Sequence, residues 1–330
     1  MRLWLKVLLS VVAIALLATG VYSLVRPKNA TPFRLSMMTW VGYGPFWLAQ
    51  EKGFFKDEGV DVSISTIEDT AQRKSAVLKG DVDASTDTVD QLVLGRAESV
   101  PYTGVMQIDI SNGADGILAT QDIKSIQDLR GKKIAVQRNF VSEAFLDYVL
   151  VKNGLSPNDV QKVDMDGGAA GAAFVSSSVD VAVSYEPWLS KAKDRAGGHI
   201  LVSSADVPGV IVDVLDVHDP YLKNHSDLVE KVIRAYYKAV DYWKANPSQA
   251  NAIMAPHYNS TSADFADLIS GLKWPTLAEN AAYFGTSSTP GSIYNVANTF
   301  SSLFLQTGQI QNKPDMTKAI DGSILQKLIK

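Results

Sequence analysis

The chain has 330 residues, 46% of them hydrophobic and 20% charged, which fits two ordinary globular lobes and excludes a disordered protein. It contains no cysteine, which excludes disulfide bonds, thiolate metal sites, a cysteine nucleophile and a lipid-modified cysteine anchor. The first 32 residues hold four of the 31 basic side chains and no acid, so the remainder carries 27 basic and 35 acidic groups, a balance that opposes nucleic-acid binding.

The N-terminus carries an apolar run from Val7 to Val25 with basic residues on both sides. This pattern predicts a signal sequence or membrane anchor over residues 1–28, followed by a linker over residues 29–32. The run is close to the roughly 18 to 20 residues of a membrane-spanning helix, which favours an uncleaved anchor. Small residues around Tyr22 and Ser23 leave cleavage open. In both cases we expect export to the periplasm or to the outer face of the cytoplasmic membrane.

Strand and helix patterns alternate after the linker, which is typical of a mostly parallel α/β sheet. The patterns predict, in chain order, strand 34–39, helix 45–52, strand 60–64, helix 70–79, strand 82–85 and strand 105–108. Gly53 and Gly80 directly follow the two helices and are predicted to end them. This part of the chain is therefore expected to form the first lobe.

A second α/β unit begins near residue 117. Its predicted elements are a strand ending at Val136, a helix over 142–152 and a last strand over 179–184. A strand over 209–217 then returns to the first lobe, and helices over 227–245, 294–306 and 322–329 complete it. We therefore expect lobe 1 to comprise residues 33–116 and 212–330 and lobe 2 residues 117–211, with a hinge where the chain crosses twice.

The segment from Trp40 to Phe55 combines a strand end, an aromatic glycine-containing loop, a short helix and a glycine stop. Together with the α/β pattern, it resembles the solute-binding proteins of bacterial ABC importers for nitrate, sulfonate, taurine and bicarbonate, over about residues 33–246. The resemblance implies the two-lobed type II periplasmic-binding-protein fold, a ligand held in the cleft between the lobes, an ABC permease as partner and a monomeric state. It implies ligand capture without catalysis and without a cofactor.

In open α/β sheets, ligands bind beyond the carboxyl ends of the strands, and this rule selects the candidate ligand-binding residues. Loop aromatics cannot be assigned to helix packing, so the two in this set are expected to contact the ligand. The full set is Trp40, Tyr43, Asp87, Thr88, Asp109, Ser111, Asp115, Gln137, Asn139, Ser142, Glu186 and Asp213.

Carboxylates dominate this set, and Arg138 is the single candidate cation near the predicted strand ends. A dry cleft of carboxylates and aromatic faces favours a small nitrogen-rich cation or amide such as guanidinium. The alternative is that the acids cap helices and turns while the ligand is an anion such as an alkanesulfonate, taurine, nitrate or bicarbonate.

Enzyme motifs are missing: the sequence has no phosphate-binding Gly-Lys loop, no His-Glu-x-x-His pair and no Gly-x-Ser-x-Gly elbow. The four histidines have no metal-ligand spacing, and no metal site is expected. The fold family includes a branch that makes the thiamine pyrimidine and looks cysteine- and histidine-dependent, which the absence of cysteine argues against. A membrane-anchored sensor with the same fold is the remaining alternative of another class.

Overall fold

The computed structural model describes residues 31–330, which form two β-sheets flanked by helices. The strands are β1 (Pro32–Met37), β2 (Asp61–Thr66), β3 (Ala84–Thr88), β4 (Tyr102–Ser111), β5 (Asp115–Ala119), β6 (Lys133–Val136), β7 (Gln161–Asp164), β8 (Val181–Tyr185), β9 (His199–Ser203), β10 (Val212–His218) and β11 (Leu272–Lys273).

The helices lie on both sheets. They are α1 (Gly44–Glu51), α2 (Phe54–Asp57), α3 (Thr70–Lys79), α4 (Val89–Ala97), α5 (Val141–Lys152), α6 (Gly167–Val175), α7 (Asp219–Ala245), α8 (Pro247–Met254), α9 (Ser262–Leu268), α10 (Leu277–Phe284), α11 (Ile293–Thr307) and α12 (Ser323–Leu328).

The first sheet has the strand order β11-β4-β10-β3-β1-β2. Strands β1 and β3 are parallel, with Leu35 opposite Ala84, and β10 runs antiparallel between β3 and β4. The carboxyl ends of β1, β3 and β4 therefore meet the start of β10 at one edge of this sheet. That edge is where the ligand of an open α/β sheet is expected.

The second sheet has the order β7-β6-β8-β5-β9. Strand β6 is parallel to β7 and β8, while β5 is antiparallel to β8 with Asp115 opposite Tyr185. The start of β5 therefore lies beside the end of β8. Asp115 is the first residue of β5, so the predicted boundary between the lobes after residue 116 falls inside this strand.

The chain crosses between the sheets twice, after β4 and before β10, and hydrogen bonds join the two crossings. The Ser111 and Ser204 hydroxyls are 2.7 Å apart, and the Gly113 N–H donates to the Ser204 hydroxyl at 2.7 Å. The Ser111 N–H donates to the Ile211 carbonyl at 3.1 Å. Hydrogen bonds thus link the two segments of chain that pass between the sheets.

Helix α3 spans the residues predicted for it, because Asp69 caps the Gln72 N–H and Gly80 ends the helix with φ 69°. Helix α7 buries Val229, Ile233 and Val240 on one face of its second half. It starts at Asp219, eight residues before the predicted start, since two helices join across a kink at His225.

Two strands are longer than their hydrophobic patterns indicated. Asp87 and Thr88 are the last residues of β3, and Asp109 and Ser111 belong to β4, whereas the sequence analysis placed all four in loops after the strands. Their burial is complete or nearly so. The predicted strands were too short because polar side chains inside these buried strands interrupt the apolar sequence pattern.

The predicted signal or anchor over residues 1–28 lies outside the described residues. Between residues 31 and 330, no helix is both long and apolar enough to cross a bilayer.

Candidate functional site

A small cavity of about 30 Å³ lies at the edge where the two sheets face each other. Its walls come from both sheets and from the loops that follow their strands. The lining residues are Met38, Trp40, Tyr43, Asp87, Thr88, Asp115, Phe140, Val141, Tyr185, Ile211 and Asp213. A volume of this size is about that of one water molecule, so a larger ligand enters only if the sheets separate.

Two aromatic rings meet across the cavity. Trp40 follows β1 and is 8% exposed, while Tyr185 ends β8 of the second sheet. Their ring centroids are 5.9 Å apart with perpendicular planes, the edge-to-face geometry that aromatic quadrupoles favour. The contact joins the two halves of the site through an apolar surface.

A carboxyl pair lies behind Trp40. The Tyr43 hydroxyl donates to Asp213 Oδ1 at 2.5 Å, and Asp109 of β4 lies next to both. Burial raises the pKa of Asp109 to about 8, while the Trp40 indole N–H opposes the rise. Burial and the charge of Asp109 raise the pKa of Asp213 well above its usual value. The pair therefore shares at least one proton near neutral pH.

Gly42 makes this close packing possible. A Cβ at this position would lie 2.1 Å from Asp109 Oδ2 and 2.6 Å from the Trp40 Nε1. Both distances are far below a normal contact, so any side chain would displace the carboxylate or the indole. The glycine between the two aromatic residues is thus required by the approach of Asp109.

A buried ion pair holds the third carboxylate. Arg73 of α3 lies 3.7 Å from Asp87 Oδ1, and both side chains are almost fully buried. The same guanidinium donates to the carbonyls of Ile67 and Glu68 at 2.9 Å. Burial raises the pKa of Asp87, and the charge of Arg73 opposes that rise. The Asp87 carboxylate therefore has an internal counter-ion.

The sequence analysis missed Arg73 and took Arg138 as the cation of the site. Arg138 is instead half-exposed, lies 3.5 Å from Glu143, and is absent from the cavity wall. A signal for Arg73 did exist, since it precedes Val77 by four residues and both are buried on one face of α3.

Asp115 differs from the other carboxyl groups. It is 6% exposed, and its Oδ2 atom has no hydrogen-bond partner within residues 31–330. Burial raises its pKa to about 7, the Ser111 hydroxyl lowers it, and the charges of Glu186 and Asp90 raise it further. This oxygen is therefore available to a ligand in the cavity.

Two helices begin at the cavity wall. Thr88 is the N-cap of α4, and Phe140 is the N-cap of α5 with Val141 as its first residue. The first N–H groups of a helix have no partner within the helix, and they carry the positive end of its dipole. The buried Thr88 hydroxyl makes no hydrogen bond of normal geometry in the described part of the chain. This arrangement favours the oxygens of an anion.

Six of the twelve predicted residues line the cavity: Trp40, Tyr43, Asp87, Thr88, Asp115 and Asp213. The other six lie outside its wall, and most are engaged elsewhere. In the first sheet, Asp109 lies behind Gly42, and Ser111 contacts Ser204. Next to the second sheet, the Gln137 Oε1 accepts from the Gly167 N–H, and the Asn139 N–H donates to Glu143. Ser142 is buried in the first turn of α5, and Glu186 accepts from Ser190.

The analysis also missed Met38, Phe140, Val141, Tyr185 and Ile211, which complete the cavity wall. All but Tyr185 are apolar, whereas the predicted set was restricted to polar side chains and loop aromatic residues. Tyr185 follows the predicted strand 179–184 directly, so the strand-end rule could have selected it.

A family model described as NMT1/THI5 like matches residues 40–250. The chain belongs to this family. The resemblance to the solute-binding proteins of nitrate and sulfonate importers is thereby confirmed.

Relatives within and around this family include binding proteins and enzymes. A Bacillus subtilis protein described as an aliphatic sulfonates-binding protein is 29% identical over 216 residues, covering 62% of this chain and 64% of the relative. A Saccharomyces cerevisiae 4-amino-5-hydroxymethyl-2-methylpyrimidine phosphate synthase is 25% identical over 223 residues, with coverage of 62% and 64%.

The solved structure of the Escherichia coli periplasmic aliphatic sulphonate binding protein superposes with a TM-score of 0.73 at 18% identity, covering 88% of this chain and 98% of that one. This likeness shows the fold. The predicted two-lobed periplasmic-binding-protein architecture is confirmed.

Proposed function

We propose that this protein is the solute-binding component of an ABC importer and that it captures a small organic sulfonate between its two sheets. The observation that carries the proposal is the cavity wall, where two helix N-termini and an unpartnered threonine hydroxyl converge from both sheets. Membership of the family and the Bacillus subtilis sulfonates-binding relative support the ligand class.

The sulfonate oxygens would be bound by hydrogen-bond donors and not by a formal cation. The donors are the first-turn N–H groups of α4 and α5 and the Thr88 hydroxyl. Helix N-termini stabilise anions because their dipoles and free N–H groups point at the ligand. The organic part of the ligand would pack against the Trp40 and Tyr185 rings, which form the apolar side of the cavity.

The preference for a nitrogen-rich cation such as guanidinium, drawn from the sequence, finds no support in the relatives, whose named ligand is a sulfonate. The structure explains why the number of acidic residues pointed to a cationic ligand. Asp87 is paired with Arg73, and Asp109 and Asp213 share a proton next to Tyr43. The acids thus bring far less negative charge to the cavity than their number suggests.

Capture requires the two sheets to separate and close again. The cavity is too small for a sulfonate in this state, and within residues 31–330 the chain passes between the sheets only near Ser111 and near Ile211. We propose that these crossings are the hinge between a lobe built on the first sheet and a lobe built on the second sheet, which begins with Asp115 at the start of β5. Ligand contacts from both lobes would then favour the closed state.

The partner and location follow from the same proposal. The closed form would dock on an ABC permease, after export to the periplasm, as a monomer. The enzyme alternative has a named relative in yeast. Turnover of a bound ligand would support the enzyme alternative.

The test is thermal unfolding of the purified protein with ethanesulfonate, taurine, nitrate, bicarbonate and guanidinium. A ligand at a hundred times its dissociation constant adds about 2.7 kcal/mol of stability, which raises the melting temperature by several degrees. We expect ethanesulfonate to give the largest shift. A shift with guanidinium alone would contradict the proposed ligand class.

A further inference from the structure

Asp115 is the one carboxyl group of the cavity wall for which the described residues provide neither a cation nor a second carboxyl to share a proton. Asp87 has Arg73 at 3.7 Å, and Asp213 accepts from Tyr43 next to Asp109. Asp115 Oδ2 is buried and has no hydrogen-bond partner within residues 31–330, and Asp115 lines the same cavity as Thr88.

The groups that face Asp115 are acidic or neutral. They come from the end of β8, the loop after it, the start of α4, and strands β4 and β10. These groups are Tyr185, Glu186, Asp90, Asp109, Asp213 and the hydroxyl of Ser111. No lysine or arginine is among the residues that line the cavity. An ionised Asp115 would therefore be a buried charge without a counter-ion, which is strongly unfavourable.

A proton or a cationic ligand can remove this charge. If the ligand is an oxyanion, an ionised carboxylate in the same small cavity would repel it. A neutral carboxyl group would instead present an O–H donor, which makes a short, strong hydrogen bond to an anionic oxygen.

We propose that Asp115 binds the ligand as a neutral carboxylic acid that donates a hydrogen bond to a sulfonate oxygen, so that ligand capture takes up a proton. This inference rests on the proposed sulfonate function and adds the specificity-determining residue. Because Asp115 belongs to the second sheet and Thr88 to the first, their donors reach the same ligand only when the sheets close.

The protonation state is accessible near neutral pH. Burial raises the pKa of Asp115 to about 7, so the proton is easily added there. Above that pH the binding-competent fraction of the free protein falls by up to about tenfold per pH unit, and the apparent affinity falls with it. Below it the affinity reaches a plateau.

The experiment is calorimetric titration of the intact protein with ethanesulfonate from about pH 5.5 to about pH 9, a range in which a sulfonate does not titrate. We expect a plateau below neutrality, a fall of up to about tenfold per pH unit above it, and uptake of about one proton on binding at the alkaline end. Buffers with different ionisation enthalpies measure that uptake directly.

Two variants assign the proton to Asp115. Asp115→Asn keeps a hydrogen-bond donor and cannot ionise, so its affinity should be independent of pH and higher than that of the wild type at the alkaline end. Asp122→Asn removes an exposed aspartate just beyond β5 and should leave the pH profile unchanged. Thermal unfolding of both variants confirms that they are folded.

The results distinguish a failure of the proposed role of Asp115 from a failure of the proposed sulfonate function. Absence of ethanesulfonate binding at every pH overturns both the ligand class and the role of Asp115. Binding with no pH dependence, or with affinity that rises with pH, leaves the function intact and overturns the inference. A pH dependence that persists in Asp115→Asn also overturns it, because the proton would then belong to the Asp109 and Asp213 pair.

Discussion

The two sheets contribute to the cavity in different ways. In the first sheet, two carboxyl groups already have partners: Tyr43 donates to Asp213, and Arg73 neutralises Asp87. The second sheet supplies Tyr185, which meets Trp40 edge to face, and Asp115, whose Oδ2 has no partner within residues 31–330. The carboxyl groups of the first sheet are therefore satisfied before a ligand binds, whereas Asp115 of the second sheet completes its bonding only with a ligand and closure.

The largest expected effect comes from the ion pair of the first sheet. Arg73→Met leaves Asp87 as a buried charge without a partner and should lower the free energy of unfolding by about 3 to 5 kcal/mol. Denaturant unfolding measures it. The double variant Arg73→Met with Asp87→Asn is the control and should recover most of the loss. No loss in the single variant would show that the pair at 3.7 Å does not stabilise this surface.

A large effect on affinity is expected where the sheets meet. Trp40→Ala removes the ring that packs against Tyr185 and against the organic part of the ligand, and should cost about 1 to 3 kcal/mol of sulfonate affinity. Calorimetric titration checks it. Trp47→Ala is a matched control, because Trp47 stacks on His257 outside the cavity wall and should retain full affinity. Equal affinities in the two variants would contradict the role of Trp40.

A smaller effect is expected inside the first sheet. Tyr43→Phe removes the hydroxyl that donates to Asp213 at 2.5 Å and keeps the ring, which should lower the free energy of unfolding by about 1 to 3 kcal/mol. The loss should grow as pH rises. At pH values above those at which a carboxyl group normally ionises, burial makes the ionised form of Asp213 unfavourable. The hydrogen bond from the Tyr43 hydroxyl stabilises that ionised form, so its loss matters more as pH rises. A loss that shrinks with rising pH would be inconsistent with this assignment.

The smallest effect is expected outside the cavity of the second sheet. Glu186 accepts hydrogen bonds from the backbone and side chain of Ser190 and does not line the cavity. Below neutral pH, where Asp115 is already protonated, Glu186→Gln should change sulfonate affinity by less than about twofold, within the ±0.5 kcal/mol typical of surface substitutions. A large loss of affinity would place Glu186 in the closed site and would break the contrast with Asp115.

Much of the fold could be predicted from the sequence, because its helices and strands have clear local signals. Helix α3 has its cap at Asp69 and its stop at Gly80, and its bounds were predicted without error. Strands β3 and β4 were cut short because buried polar residues such as Asp87 and Asp109 interrupt their apolar patterns. Those residues are at the site, where local sequence rules fail most readily.

The site could be predicted only in part. The strand-end rule found Trp40, Asp87 and Thr88, because the carboxyl ends of β1 and β3 meet at the cavity. It could not find Phe140, an apolar N-cap, or recognise that Arg73, on a helix, would reach Asp87. A cationic ligand was therefore inferred from the number of acidic residues. The counter-ion of Asp87 and the proton shared by Asp109 and Asp213 can be seen only in the folded structure.

The most direct test of this binding mode is a crystal structure of the protein with ethanesulfonate, grown below neutral pH. We expect the sulfonate between the sheets, with its oxygens at hydrogen-bond distance from the Thr88 hydroxyl, the first N–H groups of α5 and Asp115, and its ethyl group against Trp40. A sulfonate bound away from this cavity, or a cavity closed around another class of ligand, would contradict it.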